Sequence, residues 1–179
     1  MARYTGPKVR LSRRLNTNIF ENEKGRKALE RRPFPPGQHG RTRRRSAGSE
    51  YLAQLQEKQK AKYIYGVLER QFRKTYDEAN RLQGPTGENL LRLLELRLDN
   101  VVFRAGFAST RPQARQFVSH GLILVNGKRL DIPSARVKKG DVITLAIKAQ
   151  EMIVIQHNVD TLDRSLVGWL ESGDGGKQV

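Results

Sequence analysis

TRPQARQFVSHGLILVNGKR, the stretch Thr110–Arg129, decides the fold of this 179-residue chain. Thr110 and Gln113 fit a capping box, in which the threonine oxygen accepts a hydrogen bond from an early helical amide and the glutamine reaches back to the cap. Gly121 suits the left-handed conformation that ends many helices. The pattern therefore predicts a helix over Arg111–His120.

The predicted helix has an apolar and a polar face. Ala114, Phe117 and Val118 recur at spacings of three and four, which is typical of a face that packs on a core. The other face is predicted to point toward solvent or a ligand, and it carries Arg111, Arg115, Gln116 and His120. An ordinary solvated face is the alternative, but the helix cap and the basic hairpin that follows favour a ligand.

A hairpin is predicted directly after this helix. Leu122–Val125 is a short apolar run, and Asn126-Gly127 is the strongest two-residue hairpin signal because both central residues need positive φ. Lys128 and Arg129 follow the turn. The run Asp141–Ile147 is predicted to add a third strand, which completes a small sheet.

The chain has a large excess of positive charge. Its 34 Lys and Arg against 18 Asp and Glu give a net charge of +16, which favours a polyanionic partner, with nucleic acid ahead of a membrane surface. The excess lies in residues 1–149, since residues 150–179 carry five acidic and two basic side chains. The chain has no Cys and its three His are far apart, so we predict no disulfide, no metal site and no cofactor.

The first 48 residues are predicted to form an extended basic arm, because no apolar period is sustained there. Composition alone equally allows a disordered, solubilising tail. Tyr4, Phe20 and Phe34 are interspersed with the charges and could either stack on bases or anchor the arm.

Three helices are predicted between this arm and the short segment before Thr110. Ser49 is the expected cap of a helix over Glu50–Tyr65, whose buried side would hold Tyr51, Leu52, Leu55 and Ile64. A second helix, Val67–Leu82, would bury Leu68, Phe72, Tyr76 and Ala79. A third, Glu88–Arg97, would bury Leu90, Leu91, Leu94 and Leu98.

The regions on either side of the opening stretch are less sharply defined. Asp99 is the expected cap of a further short helix, although one helix continuous with the third is the alternative. In the tail, Met152–Ile155 favours a strand by its β-branched residues, yet Met152, Ile155, Val159 and Leu162 also fit one helix face. Residues Gly173–Val179 are predicted to be disordered.

Five stretches of the chain resemble the bacterial-type ribosomal protein S4 family: MARYTGPKVRLSRR (1–14), PPGQHGRTRRR (35–45), EKQKAKYIYGVLERQF (57–72), TGENLLRLLELRLDNVVFRAGF (86–107) and TRPQARQFVSHGLILVNGK (110–128). Many members of that family carry a cysteine cluster for zinc, which this chain lacks, so the resemblance implies no metal. The family also usually continues past the Trp169-Leu170 pair into further strands, whereas this sequence ends at Val179.

The resemblance implies an α+β protein. A mainly α-helical domain with a basic N-terminal extension would be joined to a small S4-type RNA-binding domain, in which two short helices pack on a small antiparallel sheet. We place the basic arm at residues 1–48, the helical domain at 49–97, the S4-type domain at 98–150 and the tail at 151–179. In the family the tail returns to the helical domain and favours a helix near Glu151–Val159.

The resemblance also implies a function: a structural, non-enzymatic component of the small ribosomal subunit, on cytoplasmic or, alternatively, organellar ribosomes. Such a protein binds small-subunit ribosomal RNA early, nucleates assembly, neighbours other small-subunit proteins and has no membrane partner. It lies close to where messenger RNA enters the subunit and contributes to translational accuracy. By the resemblance, the arginines after the Gly37–Gly40 motif would lie near the incoming message.

Charge and resemblance together define a set of expected RNA-binding residues. It consists of Arg3, Lys8, Arg10, Arg13, Arg14, Gln38, His39, Arg41, Arg43, Arg44, Arg45, Lys58, Lys60, Arg70, Arg73, Arg97, Arg104, Arg111, Arg115, Gln116, His120, Asn126, Lys128 and Arg129.

Two other classes of protein remain to be weighed. An RNA-modifying enzyme with the same small module would need a separate catalytic domain, and the sequence contains no catalytic arrangement above chance. A free-standing RNA chaperone or DNA-compacting protein is allowed by composition alone.

Overall fold

The computed structural model describes residues 3–42, 49–161, 166–173 and 178–179, and in these ranges it contains nine helices and three short strands. The chain divides into two compact units, residues 1–74 and 75–179. Arg43, Arg44 and Arg45, which were predicted to bind RNA, lie outside the described residues, as does Leu162. No helix in the described ranges is long and apolar enough to cross a membrane.

The first unit is built around a small apolar cluster. It contains α1 (Lys8–Leu15), α2 (Glu23–Arg31), α3 (Glu50–Ile64) and the first residues of α4 (Glu69–Arg81). Leu11, Leu15 and Ile19 are buried together, and the side chains packed against them are Tyr4, Phe20, Tyr63 and Ile64. The expectation of an extended arm is therefore wrong in the described part of residues 1–48. The reason is that α1 has too few apolar residues to show a period, and distant α3 completes the cluster.

The aromatic residues of this region act as anchors. The rings of Tyr4 and Tyr63 meet edge to face, with centroids 5.5 Å apart. Lys8 Nζ lies 5.3 Å from the centre of the Phe20 ring, and the Arg13 guanidinium lies 5.1 Å from that of Phe34. These contacts favour anchoring over base stacking, the two alternatives that the sequence left open.

Helix α3 begins where it was predicted to begin but does not bury the predicted side chains. The Ser49 hydroxyl accepts a hydrogen bond from the backbone N–H of Leu52 at 3.3 Å, which confirms the cap. Tyr51 and Leu52 are nevertheless exposed, and α3 has no fully buried residue. The helix packs on the first cluster through Tyr63 and Ile64, at its other end.

In α4 the predicted apolar stripe is half right, since Phe72 and Ala79 are buried whereas Leu68 and Tyr76 are exposed. Steps of four residues rotate by about 40° around a helix, so Leu68 and Tyr76 fall on either side of Phe72. A step of seven is nearly two full turns, which keeps Ala79 close to the direction of Phe72.

The second unit has one larger core. Three helices lead into its sheet: α5 (Thr86–Glu95), α6 (Leu98–Arg104) and α7 (Arg111–Ser119). Leu94 and Leu98 are buried as predicted, but Leu93 takes the buried position expected of Leu91, which is exposed. The core residues from α6, α7, the loop between them and the strands include Leu98, Val101, Val102, Phe103, Phe107, Ala114, Phe117, Val118, Ile123, Ile143 and Leu145.

The sheet confirms the predicted hairpin and third strand, and with them the α+β class. Strands β1 (Ile123–Val125), β2 (Lys128–Arg129) and β3 (Ile143–Leu145) are antiparallel in the order β2-β1-β3. Asn126 and Gly127 have φ of 52° and 75°, as a tight two-residue hairpin turn requires. The third strand is shorter than predicted.

The tail is helical. After the short α8 (Ile147–Gln150), α9 spans Ile153–Thr161, so the helix favoured by the family resemblance is the right alternative. Ile155 is buried in the core, and Asn158 Nδ2 donates to the Phe107 carbonyl at 3.1 Å. Disorder was predicted up to Val179, but Val179 exchanges two backbone hydrogen bonds with Ile143.

Candidate nucleic-acid interface

Helix α7 is fixed at its start by a modified capping box. Thr110 Oγ1 accepts from the backbone N–H of Gln113 at 3.4 Å, as predicted. The Gln113 side chain reaches back one residue further than predicted, because its Oε1 accepts from the backbone N–H of Ser109 at 2.7 Å. At the other end, Gly121 has a φ of 68° and ends the helix as expected.

Arg111 and Arg115 do not face solvent, so their predicted placement on an exposed cationic face is wrong. Both are buried, with 9% of each residue exposed. Arg111 Nε donates to Asn100 Oδ1 at 2.9 Å, and Arg115 donates to Asp99 Oδ2 through Nε at 2.9 Å and Nη2 at 2.7 Å. The cause is α6, which packs beside α7 and presents these acceptors.

Asp99 is the centre of this buried network and not the helix cap that was predicted. Helix α6 begins at Leu98 with Arg97 in the cap position, so Asp99 is already inside the helix. Arg97 forms a bidentate pair with Asp99, with Nε–Oδ1 and Nη2–Oδ2 distances of 3.1 and 2.9 Å. Two guanidinium groups, from Arg97 and Arg115, therefore share one carboxylate that is almost fully buried.

Arg97 and Arg104 were also predicted to contact RNA, but both are held by carboxylates. Arg97 is buried on Asp99. Arg104 is half-buried and pairs with Glu95, with an Nη2–Oε1 distance of 2.9 Å. The Arg104–Glu95 pair joins α6 to α5 and is defined by their packing, whereas Arg97 and Asp99 are only two residues apart at the start of α6.

The exposed part of the α7–hairpin region is smaller than predicted. Of the residues predicted to bind RNA there, the exposed ones are Gln116, His120, Asn126, Lys128 and Arg129. The guanidinium of Arg129 lies against Gly121, where an added Cβ would come within 2.1 Å of Arg129 Nε. This contact brings Arg129 beside the end of α7.

Asn126 has a structural task that the sequence did not reveal. Its Nδ2 donates to Asp141 Oδ1 at 2.9 Å, and its Oδ1 accepts from the backbone N–H of Val142 at 2.9 Å. Asp141 Oδ2 accepts from the backbone N–H of Lys138 at 2.7 Å. The Lys138 amide and the Asn126 amide hold the pKa of Asp141 below its usual value, so the clamp is present at neutral pH.

In the first unit, α1 presents most of the predicted cations. Lys8, Arg10 and Arg14 are exposed on this helix, and Arg3 precedes it. Arg13 differs from them because it is half-buried and ties down the following chain. Its Nε donates to the Phe34 carbonyl at 3.2 Å and its Nη2 to that of Pro35 at 3.4 Å.

The Gly37–Gly40 motif forms a tight turn below exposed polar side chains. The backbone N–H of Gly40 donates to the Gly37 carbonyl at 3.2 Å. Gly40 is buried against Pro35, whereas Gln38, His39 and Arg41 are exposed. Three residues that were predicted to bind RNA, Gln38, His39 and Arg41, are therefore exposed on a hydrogen-bonded turn.

Gly40→Ala is expected to open this turn, because the added Cβ would lie 1.9 Å from the Pro35 carbonyl oxygen. Overpacking against backbone typically costs about 1–3 kcal/mol. Hydrogen exchange of the amides in residues 35–41 would report faster opening. Gly87→Ala on α5 is the control, because its Cβ meets nothing within 4 Å and its φ is not positive, so exchange in residues 35–41 should not change. Equal protection in wild type and Gly40→Ala would contradict the expectation.

The cations of α3 and α4 fall into two groups. Arg70 and Arg73 are exposed on α4, as predicted. Lys58 pairs with Glu69 at 2.6 Å and Lys60 pairs with Glu57 at 2.6 Å. Hydrogen bonds from Lys58 and Lys62 lower the pKa of Glu69, which keeps this carboxylate charged, so an RNA phosphate would have to compete with it for Lys58.

Comparison with known proteins identifies the family of the chain. Residues 3–95 match the family described as Ribosomal protein S4/S9 N-terminal domain, and residues 96–143 match the S4 domain. Small ribosomal subunit protein uS4 of Nocardia farcinica is 58% identical over 172 residues, covering 96% of this chain and 83% of that protein. Its namesake in Rhodococcus opacus is 56% identical over 180 aligned positions, covering 100% and 87%. The chain belongs to the uS4 family of ribosomal proteins.

Members of the uS4 family are structural proteins, so membership confirms that the chain is not an enzyme. Its S4 domain comprises α6, α7 and the β1–β2 hairpin and ends at Ile143, the first residue of β3. The buried Asp99 network and the exposed Lys128 and Arg129 both lie within this domain. The S4-domain match therefore includes the helix and hairpin that were predicted from Thr110–Arg129.

Proposed function

We propose that the protein is a structural component of the small ribosomal subunit and a primary binder of its RNA, nucleating assembly beside neighbouring small-subunit proteins. The observation that carries this proposal is the set of exposed cations, spread over both units of a uS4-family chain with a net charge of +16. Since A-form RNA hides its base edges in a deep groove, recognition is mainly of phosphate and shape. The relatives' names support bacterial, cytoplasmic ribosomes as the location.

Sedimentation tests this proposal against a free RNA chaperone. An affinity-tagged chain expressed in a related bacterium should co-migrate with small subunits through a moderate-salt wash. The purified chain should also protect a compact region of small-subunit ribosomal RNA from chemical probing. Release of the protein by the wash, together with scattered protection, would favour the chaperone alternative.

We further propose that the arginines after the Gly37–Gly40 turn lie close to where messenger RNA enters, and contribute to translational accuracy. This rests on the family resemblance and on the exposure of Arg41 beside the turn. Replacing Arg43, Arg44 and Arg45 with Gln is expected to impair initiation on structured messages and the accuracy of decoding more than subunit assembly. If fewer small subunits formed, but those that did form initiated normally, the assignment would be reversed. A triple change on α2, Lys24→Gln, Lys27→Gln and Arg31→Gln, removes the same number of exposed charges and serves as the control.

A further inference from the structure

A second basic turn lies next to the hairpin of the S4 domain. Residues Lys138–Asp141 form a β-turn, in which the backbone N–H of Asp141 donates to the Lys138 carbonyl at 3.1 Å. Gly140 has a φ of 89°, the positive value that the third position of a type II turn needs. Lys139 stands at the corner of the turn, and both Lys138 and Lys139 are exposed.

This turn is fixed to the tip of the hairpin. The Asn126–Asp141 side-chain hydrogen bond joins the two, and the backbone N–H of Asn126 donates to the Val142 carbonyl at 2.8 Å. Val125 pairs with Lys128 on one side and with Ile143 on the other. Lys128 is therefore two strand spacings, about 10 Å, from the start of β3. Lys128 and the Lys138–Asp141 turn lie at the same end of the sheet.

The lysines at this end of the sheet are available to an anion. Among the ion pairs of the described residues, none involves Lys128, Lys138 or Lys139. The adjacent carboxylate, Asp141, has both oxygens hydrogen-bonded to N–H groups. This end of the sheet therefore carries three lysines and one carboxylate that is already hydrogen-bonded, which leaves a positive excess.

This lysine group is separate from the face that Arg129 forms with the end of α7. Successive side chains of a strand point to opposite sides of the sheet, so Lys128 and Arg129 diverge. Arg129 lies against Gly121. An RNA backbone bound at the end of α7 would therefore reach Arg129 and not Lys128.

We propose that Lys138 and Lys139, together with Lys128, form a second RNA-phosphate contact of the S4 domain at the open end of its sheet. The proposal rests on the proposed RNA-binding function and deepens it. Lysine ammonium groups act as point charges for phosphate, and a clamped turn holds two of them beside a third without further ordering. RNA is the favoured anion because the whole chain carries a net charge of +16.

The test measures binding of the full chain to in vitro transcribed small-subunit ribosomal RNA over a range of KCl concentrations. Each phosphate contact contributes about 0.7–0.9 to the slope of log affinity against log salt. The double variant Lys138→Gln, Lys139→Gln is expected to reduce the magnitude of the slope by about 1.4–1.8. Lys148→Gln is the control, since Lys148 is exposed in the same unit on α8 and the change per residue is the same. It should leave the slope unaltered.

The outcomes separate this inference from the proposed function. A steep wild-type slope that is unchanged in the double variant would overturn the second contact and leave RNA binding standing. No salt-dependent binding by the wild-type chain would overturn both. Because both lysines are exposed, the thermal unfolding midpoint of the double variant should match that of wild type, and a slope change with a matched midpoint supports the contact.

Discussion

Asp99→Asn is expected to lower the free energy of unfolding of the second unit by about 3–5 kcal/mol, the usual cost of removing one partner from a buried ion pair. Asp99 is 3% exposed, and its two partners Arg97 and Arg115 are 7% and 9% exposed. Without the carboxylate, two buried guanidinium groups would lie close together and would each lose a charged acceptor. Chemical denaturation followed by circular dichroism measures the change.

Glu78→Gln provides the matched control for Asp99→Asn. Glu78 also pairs with an arginine, Arg136, in the same unit, and its Oε2 accepts from Arg136 Nη2 at 2.7 Å. Both side chains are partly exposed, so solvent screens the pair and its loss should cost about 1 kcal/mol or less. Similar losses in the two variants would show that burial of the Asp99 network contributes little to stability.

Raising the salt concentration from 50 to 200 mM is expected to weaken binding of small-subunit ribosomal RNA by a factor of about 10³–10⁵. That range corresponds to roughly 6–10 phosphate contacts. At each contact a Lys or Arg neutralises a phosphate and releases its bound counterions. The exposed cations on α1, α4 and the hairpin are sufficient in number for such a footprint. Filter binding at four or more KCl concentrations gives the slope.

A control is needed because salt also acts on the protein. The circular dichroism of the free chain should stay constant over the same salt range, since its two apolar clusters do not depend on surface charge. A slope near zero, with the protein folded throughout, would mean that phosphate contacts do not drive binding.

The buried arginines change how the basic character of the S4 domain is understood. Of the cations predicted along its helices, Arg97, Arg111 and Arg115 are committed to Asp99 and Asn100 inside the protein. The bonds of Arg111 and Arg115 hold α7 against α6, and the Arg97 bond to Asp99 lies within the start of α6. Lys128 and Arg129 stay exposed in the same domain and belong to the surface that we propose for RNA.

Helix α7 and the hairpin were predictable because their signals are local. A cap at Thr110, a left-handed glycine at Gly121 and an Asn-Gly turn each act within a few residues of chain. The buried apolar positions of α7 followed equally from spacing. Long-range partners were not predictable, and so Asp99 was taken for a cap and the region of α1 and α2 for an extended arm.

By itself, the sequence determined the α+β class, the start of α7, the turn at Asn126-Gly127, the family resemblance and the sign of the partner's charge. Only the tertiary structure decided which cations are exposed, because an arginine carries the same charge whether it faces solvent or a buried carboxylate. Arg115 points inward since α6 places Asp99 beside it, while Arg129 stays exposed over Gly121. Whether an arginine is buried or exposed depends on which hydrogen-bond acceptors the packing of the helices brings close to it.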